Sequence, residues 1–323
     1  MGVRVSVLIA TYNRPAALRQ TVADLAAQTR PPDEIIVVDQ SHDEQGRPLD
    51  QRDRLPALAC LRYLRQSPPN AQRARNRAIR EARGDILVLV DDDVRVPPDF
   101  LAAHLRSYED AAIDGVAGQV LEPGQAPTAV LPREFGWPHN GWMFLPLHYA
   151  LPCEAINWPS CNGSVRRRAA LAVGGFDEQF VRTWNDDSDF SWRLHRAGFR
   201  VVFNPAATLV HLKVPSGGRR PGGPNRYVLA DTEFWGTLFY FWRKNFGLHR
   251  VWRHFASYLR RLVCRKVLLV RPHLLAVAVY HCAAGYFWAS RRLREGPIYL
   301  RDEPTSALEA AGPSAAPALA EGG

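Results

Sequence analysis

The first half of the chain alternates short runs of valine, isoleucine and leucine with segments of helical periodicity. The strand-like runs lie at residues 3–10, 34–39, 61–64, 86–90 and 116–121, and the helical patterns at 15–27, 71–82 and 98–108. Strands that alternate with helices in this way build a mainly parallel sheet covered by helices. The sequence therefore predicts a wound α/β fold, and 323 residues suffice for one large domain with an appendage.

The middle of the chain departs from this rhythm. Residues 122–160 contain seven prolines, a composition typical of ordered loops that form the wall of a binding site. Regular patterns return at residues 165–173, 187–197, 199–203 and 208–211. The α/β domain is therefore expected to span residues 1–214.

The C-terminal third differs in composition from the rest. We predict a Gly/Pro/Arg loop at 215–225, a basic, aromatic helical extension at 226–300 and a disordered, Ala/Pro-rich tail at 301–323. Residues 216–301 hold 16 basic and 3 acidic side chains, so the net positive charge of this segment is larger than the +9 of the whole chain. This basicity indicates either a surface for anionic phosphates, as on a lipid bilayer, or simply a solvated helix face. Because no nucleic-acid recognition motif accompanies it, a nucleic-acid partner is not expected.

Two features bear on cellular location. The N-terminus enters a strand pattern at once and lacks the pattern of a secretory signal, and the five cysteines form no C-x-x-C pair. The apolar stretch at 274–290 is interrupted by His281 and is shorter than the roughly 20 residues of a membrane span. These observations predict a cytoplasmic protein, peripheral on the inner face of the plasma membrane.

Unusual polar residues follow three of the predicted strands. Residues 11–14 follow the first strand, Asp39 closes the second, and Asp91, Asp92 and Asp93 close the fourth. Ligands of open α/β sheets bind at these strand ends. Three adjacent carboxylates repel one another, and a divalent cation relieves this while leaving positions for phosphate oxygens. An acidic helix N-terminus is the alternative explanation for the triplet.

Two other ways of binding phosphate find no support. The first strand leads into Ala-Thr-Tyr-Asn-Arg-Pro rather than G-x-G-x-x-G, and no G-x-x-x-x-G-K-[ST] occurs. A diphosphate held through a metal ion remains.

Several motifs occur in a recognisable order. They are Val-Ser-Val-Leu-Ile-Ala-Thr-Tyr-Asn-Arg-Pro from residue 5, Ile-Ile-Val-Val-Asp from 35, Ala-Arg-Asn from 74, Gly-Asp from 84 to the aspartates at 91–93, Gly-Gly-Phe-Asp-Glu from 174 and Asp-Asp-Ser-Asp-Phe-Ser-Trp-Arg from 186. This ordered set resembles family 2 inverting glycosyltransferases with the GT-A fold. The resemblance covers residues 3–212, roughly two thirds of the chain.

The resemblance implies a donor site that binds a nucleotide-sugar. Asp39 would bind the base, Arg75 would be a donor-site arginine, and Asp91 and Asp93 would contact the ribose and the metal. His211, at the end of a short strand, is expected near the same metal, which is Mg²⁺ or Mn²⁺. The donor-side set is Thr11, Tyr12, Asn13, Arg14, Asp39, Arg75, Asp91 and Asp92, of which Asp92 is the weakest member; the metal set is Asp91, Asp93 and His211.

The resemblance also implies a catalytic base. An inverting transfer needs a carboxylate that deprotonates the acceptor hydroxyl, and Asp187 matches the second member of the family's Glu-Asp pair. Asp186 stands where the family usually has Glu, which affects the supporting contact rather than the base. The residues expected on the acceptor side are Asn162, Gly163, Gly175, Asp177 and Asp186.

Two departures from the family pattern refine the expectation. Gln40 stands where a second aspartate commonly follows Asp39, which bears on nucleotide preference. The Gln-x-x-Arg-Trp motif of processive members is missing, which favours transfer of one sugar per encounter.

We therefore expect a metal-dependent inverting glycosyltransferase that moves one hexosyl or deoxyhexosyl unit to a hydroxyl of a glycan or lipid-linked acceptor in bacterial cell-surface glycan or glycolipid synthesis. Two alternatives remain at this point: a GT-A-like nucleotidyltransferase, and a non-catalytic protein that binds nucleotide-sugars or glycans. The first would normally carry a Gly-rich basic stretch after the first strand, which residues 10–15 lack.

Overall fold

The structure of the protein is a computed structural model. It describes residues 2–130, 146–155, 157–180, 185–215, 217, 231–263 and 273–300. Most of the loop predicted at 215–225 and all of the tail predicted at 301–323 lie outside these residues.

One mixed sheet forms the centre of the molecule. Its strands are β1 (Val5–Thr11), β2 (Glu34–Asp39), β3 (Leu61–Arg65), β4 (Ile86–Val90), β5 (Val94–Arg95), β6 (Gly115–Leu121), β7 (Cys153–Glu154), β8 (Asn162–Arg166) and β9 (Val201–His211). The order is β3-β2-β1-β4-β8-β6-β9-β5, and β7 pairs with β9. Strands β3, β2, β1 and β4 are parallel, whereas β8 is antiparallel to both of its neighbours. The predicted wound α/β class is confirmed.

Helices cover both faces of the sheet. They are α1 (Pro15–Ala26), α2 (Ala71–Glu81), α3 (Phe100–Ser107), α4 (Arg167–Ala172) and α5 (Asp186–Arg196). Apolar residues alternate between the faces: Val7 and Ile9 of β1 pack with α1 and α3, and Leu8 packs with α2, α4 and α5. Since each strand contributes to two cores, the strand runs are almost continuously apolar, as expected of buried parallel strands.

The second half of the domain differs from the expected pattern in two places. The segments predicted separately at 199–203 and 208–211 form the single strand β9, whose pairing with β6 shifts register between Gly118 and Gln119. The pattern at 165–173 divides into the end of β8 and helix α4. Both differences arise from strand pairing, which local periodicity does not encode.

The C-terminal extension is helical, as predicted. It consists of α6 (Thr232–Val263), interrupted at Gly247 by a left-handed φ of 72°, and α7 (His273–Glu295). The two helices pack closely where Gly285 meets Trp235 and Gly236. After α7 the chain returns to the α/β domain, where Leu300 donates a backbone hydrogen bond to Gly174. No helix in the described part of the chain is long and apolar enough to cross a membrane.

Candidate active site

The aspartate triplet lies at the carboxyl end of β4, in the centre of the sheet. The short strand β5 follows at once and pairs antiparallel with the end of β9, so that Val94 lies opposite His211. A backbone hydrogen bond from Leu212 to Asp93 extends this contact. Residues more than 100 positions apart in sequence are thereby brought to one point.

Asp91, Asp93 and His211 form a compact group of ligand atoms. One ligand atom from each residue lies within 4.8 Å of the other two. His211 Nε2 is 3.1 Å from Asp91 Oδ2 and 3.5 Å from Asp93 Oδ1. Among the residues that the structure describes, Asp93 Oδ1 is buried and has no hydrogen-bond partner. Two carboxylates, one of which has a buried oxygen without a donor, and one imidazole fit a Mn²⁺ or Mg²⁺ ion.

Asp92 points to a different set of partners. Its Oδ2 accepts a 2.6 Å hydrogen bond from Thr11, and its Oδ1 lies 3.2 Å from Arg14 Nη1. The pKa of Asp92 is raised to about 6, because burial outweighs the hydrogen bond from Thr11 and the charge of Arg14. Arg14 also contacts Asp93 Oδ2 at 3.0 Å. The carboxylate of Asp92 thus binds Thr11 and Arg14 in the loop after β1. It is not one of the three residues whose ligand atoms cluster.

The remaining predicted donor-side residues lie at the ends of β1 and β2. Asp39 is 2% exposed and accepts hydrogen bonds from the Ser41 hydroxyl and from the Tyr63 hydroxyl. Tyr12 is half-buried, and its ring centroid lies 6.3 Å from that of His42. Asn13, in a left-handed conformation with φ 54°, accepts a hydrogen bond from the His42 backbone. Internal contacts therefore hold Asp39 rigidly at the end of β2.

Arg75 connects the two groups of carboxylates. Its Nη1 is 2.7 Å from Asp186 Oδ2, and its Nη2 is 3.8 Å from Asp91 Oδ1. Burial opposes the charge, but Asp186, Asp187 and Asp91 outweigh it and raise the pKa of Arg75. One guanidinium thus joins the predicted metal group to the start of α5.

Asp187 lies in the first turn of α5. One of its oxygens, Oδ2, accepts a 3.1 Å hydrogen bond from the backbone of Ser160, while Oδ1 is buried and accepts none from the described residues. Burial and then the neighbouring Asp186 raise the pKa of Asp187 to about 7, against the opposing charge of Arg75. A carboxylate with a pKa near neutrality and a lone pair without a donor suits proton abstraction.

The predicted acceptor-side residues play supporting parts. Asn162 is fully buried; its amide donates to two backbone carbonyls and its oxygen lies 3.0 Å from His104 Nε2. A side chain at Gly163 would overlap Trp158, and one at Gly175 would overlap Asn76. These three residues are therefore engaged in internal packing and hydrogen bonds, and their place on the acceptor side stays a prediction.

Asp177 anchors the C-terminal extension. Its carboxylate accepts hydrogen bonds from the Tyr240 hydroxyl and from Lys244 Nζ, both at 2.7 Å, and from the backbone of Ile298. Lys244 also lies 2.8 Å from Asp189 in α5. Burial raises the pKa of Asp189, but Arg193 and Lys244 outweigh it and hold the pKa below its ordinary value. The extension is therefore fastened to the helix that carries Asp187.

Sequence reasoning did not single out Lys244, Ser160 or Gln72, whose side-chain amide donates to Asp186 at 3.0 Å. Each comes from a segment remote in sequence from its partner, and no local motif marks it. The low number of acidic residues near Lys244 is a sequence signal that could have indicated a counter-ion elsewhere in the chain.

We expect Lys244→Met to destabilise the protein by about 3–5 kcal/mol, because it leaves two buried carboxylates without their shared cation. Urea unfolding followed by tryptophan fluorescence measures this. Lys213→Met is the matched control: Lys213 is half-exposed and pairs with Glu122 at the surface, so its loss should cost less than about 1 kcal/mol. Equal costs for the two substitutions would contradict the anchoring role of Lys244.

Comparison with known proteins identifies the chain. The model of the family described as "Glycosyl transferase family 2" matches residues 6–172. The chain belongs to glycosyltransferase family 2. Succinoglycan biosynthesis protein ExoM of Rhizobium meliloti (strain 1021) is 33% identical over 218 residues, which cover 64% of this chain and 66% of that protein. The N-acetylglucosaminyl-diphospho-decaprenol L-rhamnosyltransferase of Mycobacterium tuberculosis is 26% identical over 67% of this chain and 78% of its own length.

The matches do not extend over the full relatives. The chain spans just under two thirds of ExoM and 42% of the pre-mycofactocin glycosyltransferase of Mycobacterium tuberculosis, to which it is 28% identical over 64% of its own length.

Solved structures establish the GT-A fold for this family 2 chain. GalNAc-T7, crystallised with UDP, GalNAc and Mn²⁺, aligns with a TM-score of 0.51 at 15% identity, covering 74% of this chain and 50% of that one. TarS of S. aureus aligns with a TM-score of 0.51 at 16% identity, covering 81% and 44%. The expected GT-A fold is confirmed.

Proposed function

We propose that this family 2 protein is a metal-dependent inverting glycosyltransferase that transfers one hexosyl or deoxyhexosyl unit from a nucleotide-sugar to a hydroxyl acceptor. Family membership favours this hypothesis over a nucleotidyltransferase and over a non-catalytic binding protein. Names of relatives support an acceptor in bacterial cell-surface glycan or glycolipid synthesis, since they include a succinoglycan biosynthesis protein and a rhamnosyltransferase.

One observation carries the proposal. Arg75 is buried and contacts both Asp91, in the cluster that fits a metal, and Asp186, which precedes Asp187. The cluster that fits a metal and the carboxylate with a raised pKa therefore lie on two sides of one guanidinium. That juxtaposition is what a direct displacement at a sugar carbon requires, because the acceptor hydroxyl must be deprotonated next to the bound donor.

Different residues would bind the metal, bind the nucleoside and accept the proton. Asp91, Asp93 and His211 would hold Mg²⁺ or Mn²⁺, which as a Lewis acid stabilises negative charge on a departing diphosphate. Tyr12, Asn13 and Asp39 would bind the nucleoside at the ends of β1 and β2. Asp187 would accept the proton of the attacking hydroxyl, for which its raised pKa is suited.

Other chain features shape this mechanism. Arg75 keeps Asp186 and Asp187 in position relative to Asp91, while the backbone of Ser160 orients the base through Oδ2. Attack from the face opposite the diphosphate inverts the anomeric carbon, and no covalent intermediate forms. The absence of the processive motif from the sequence supports a single transfer per encounter.

The pH dependence of activity should report the base. Asp187 must be ionised to accept a proton, and its pKa lies at about 7. At saturating donor and metal, kcat/KM for the acceptor should therefore fall tenfold per pH unit below about 7 and level off above it. Because Asp186 contributes to the raised pKa, Asp186→Asn should move this limb to lower pH. A rate independent of pH between 5 and 8 would argue against a general base here.

The stereochemical outcome tests the proposed reaction. With an α-linked nucleotide-sugar as donor, proton NMR of the first product should show a β linkage. An α-linked product would contradict direct displacement assisted by Asp187.

A further inference from the structure

The outward face of α7 is apolar where a surface helix is normally polar. Tyr280 is 68% exposed, Phe287 72%, Val279 60% and Leu275 45%. Residues 276 and 283, both alanines, are exposed on the same face. The spacing of three or four residues along the helix aligns these side chains in one stripe.

The opposite face of α7 already has a partner. Ala278 and Ala289 are buried, and Gly285 allows the backbone of α7 to approach Trp235 in α6. One face of α7 therefore packs within the protein, and the exposed stripe on the other face takes no part in that packing. A contiguous row of exposed apolar side chains indicates a surface that binds something else.

Positive charge continues the stripe. Arg291 and Arg294 lie four and seven residues after Phe287, and both are exposed. The ion pair of Arg291 with Glu295, at 2.8 Å, lies at the surface. Residues 216–301 as a whole carry 16 basic and 3 acidic side chains, so the net charge of this segment has the sign that an anionic surface attracts. Apolar side chains beside arginines are the chemistry of a helix that lies in the headgroup region of a bilayer.

The segment that follows α7 contacts the α/β domain near the candidate active site. The chain leaves α7 and contacts the loop before α5, where the Ile298 N–H donates to the Asp177 carboxylate and the Ile298 carbonyl accepts from the Glu178 N–H. The same loop is held by Lys244. If α7 binds to a surface, these contacts would therefore fix the orientation of the predicted acceptor side relative to that surface.

We propose that the outward face of α7 docks the protein on an anionic lipid bilayer, which presents a lipid-linked hydroxyl acceptor to the site at Asp187. The nature of the acceptor rests on the proposed function; the docking does not. Aromatic side chains supply the apolar contact, and Arg291 and Arg294 supply attraction to lipid phosphates.

Vesicle sedimentation of the full chain tests this proposal. Binding should be strong to vesicles that contain phosphatidylglycerol, weak to pure phosphatidylcholine, and weakened by salt. Tyr280→Ser/Phe287→Ser and Arg291→Gln/Arg294→Gln should each reduce binding about tenfold or more. Val130→Ser is the matched control, since Val130 is a 75% exposed apolar residue away from α7, and it should bind as the native chain does.

Two results would overturn the docking. One is equal vesicle binding by the native chain and both double variants. The other is a dimer in light scattering that becomes monomeric only in Tyr280→Ser/Phe287→Ser, which would assign the stripe to a second copy of the chain. The arginine variant alters only surface contacts, so it decides the question even if the aromatic variant folds poorly. Since Mn²⁺-dependent donor binding should survive in all variants, failure of docking is distinguishable from failure of the proposed function.

Discussion

Asp187→Asn is expected to lower kcat by about 10²- to 10⁴-fold, the usual contribution of a general base. Asparagine preserves the shape of the side chain and can still accept the hydrogen bond from the backbone of Ser160, but it cannot take a proton. Donor binding should remain within about threefold of the native value, because Asp187 is not among the residues clustered for the metal. Steady-state kinetics with a saturating donor, combined with calorimetric donor titration, measure both quantities.

Asp53→Asn is the control for this substitution, because Asp53 is exposed in a short helical turn (Arg52–Arg54) away from the cluster. It should leave kcat unchanged. The non-catalytic hypothesis predicts that Asp187→Asn, like the control, changes nothing in the protein's function. A variant that binds donor and turns over at the native rate would therefore remove Asp187 from the mechanism.

Asp93→Asn is expected to reduce kcat/KM by at least about 10²-fold and to raise the Mn²⁺ concentration needed for half-maximal activity. Even indirect supports of a metal cost 10- to 100-fold when lost, and Asp93 supplies a buried oxygen that has no donor within the described structure. The asparagine oxygen can still accept the hydrogen bond from Val214 that Oδ2 receives, so the local fold should persist. Activity measured across a Mn²⁺ titration reports the change.

His211→Ala should act in the same direction, since its Nε2 is the nitrogen of the cluster. Asp99→Asn serves as the control, because Asp99 is an exposed carboxylate at the start of α3 that caps no backbone group with its side chain. Native-like Mn²⁺ dependence in both Asp93→Asn and His211→Ala would mean that the metal binds elsewhere.

The parallel half of the sheet could be predicted from sequence because its signals are local. The run at residues 86–90 is wholly buried in β4, and Pro15 begins α1 as a first-turn proline should. Strand β5 has only two residues and could not be recognised by periodicity. Its pairing with β9 is a long-range event, yet it is what brings His211 to Asp93.

The residues of the candidate site could be predicted from the sequence, but most of the contacts between them could not. The three aspartates could be assigned to a strand end, but whether each faces a metal or a neighbouring loop depends on Thr11 and Arg14. Asp177 shows the limit most clearly. Its motif indicated the acceptor side, whereas its carboxylate binds Lys244 and Tyr240 from the extension, and nothing near Asp177 in sequence encodes those partners.

The extension is packed against the α/β domain through buried ion pairs. Lys244 joins α6 to Asp189 in the helix that begins with Asp186 and Asp187. A boundary near residue 215 describes the change in composition correctly, but the buried ion pairs join the two parts into one packed unit.

Calorimetric titration of the full chain with a panel of nucleoside diphosphate sugars, with and without Mn²⁺, tests the central claim most directly. We expect that at least one such sugar binds in the presence of Mn²⁺, that binding weakens by at least about 10²-fold when the metal is chelated, and that Asp93→Asn abolishes the difference. If no nucleoside diphosphate sugar binds with Mn²⁺ present, or if binding is equally strong in excess chelator, the metal-held diphosphate site at Asp91, Asp93 and His211 is contradicted.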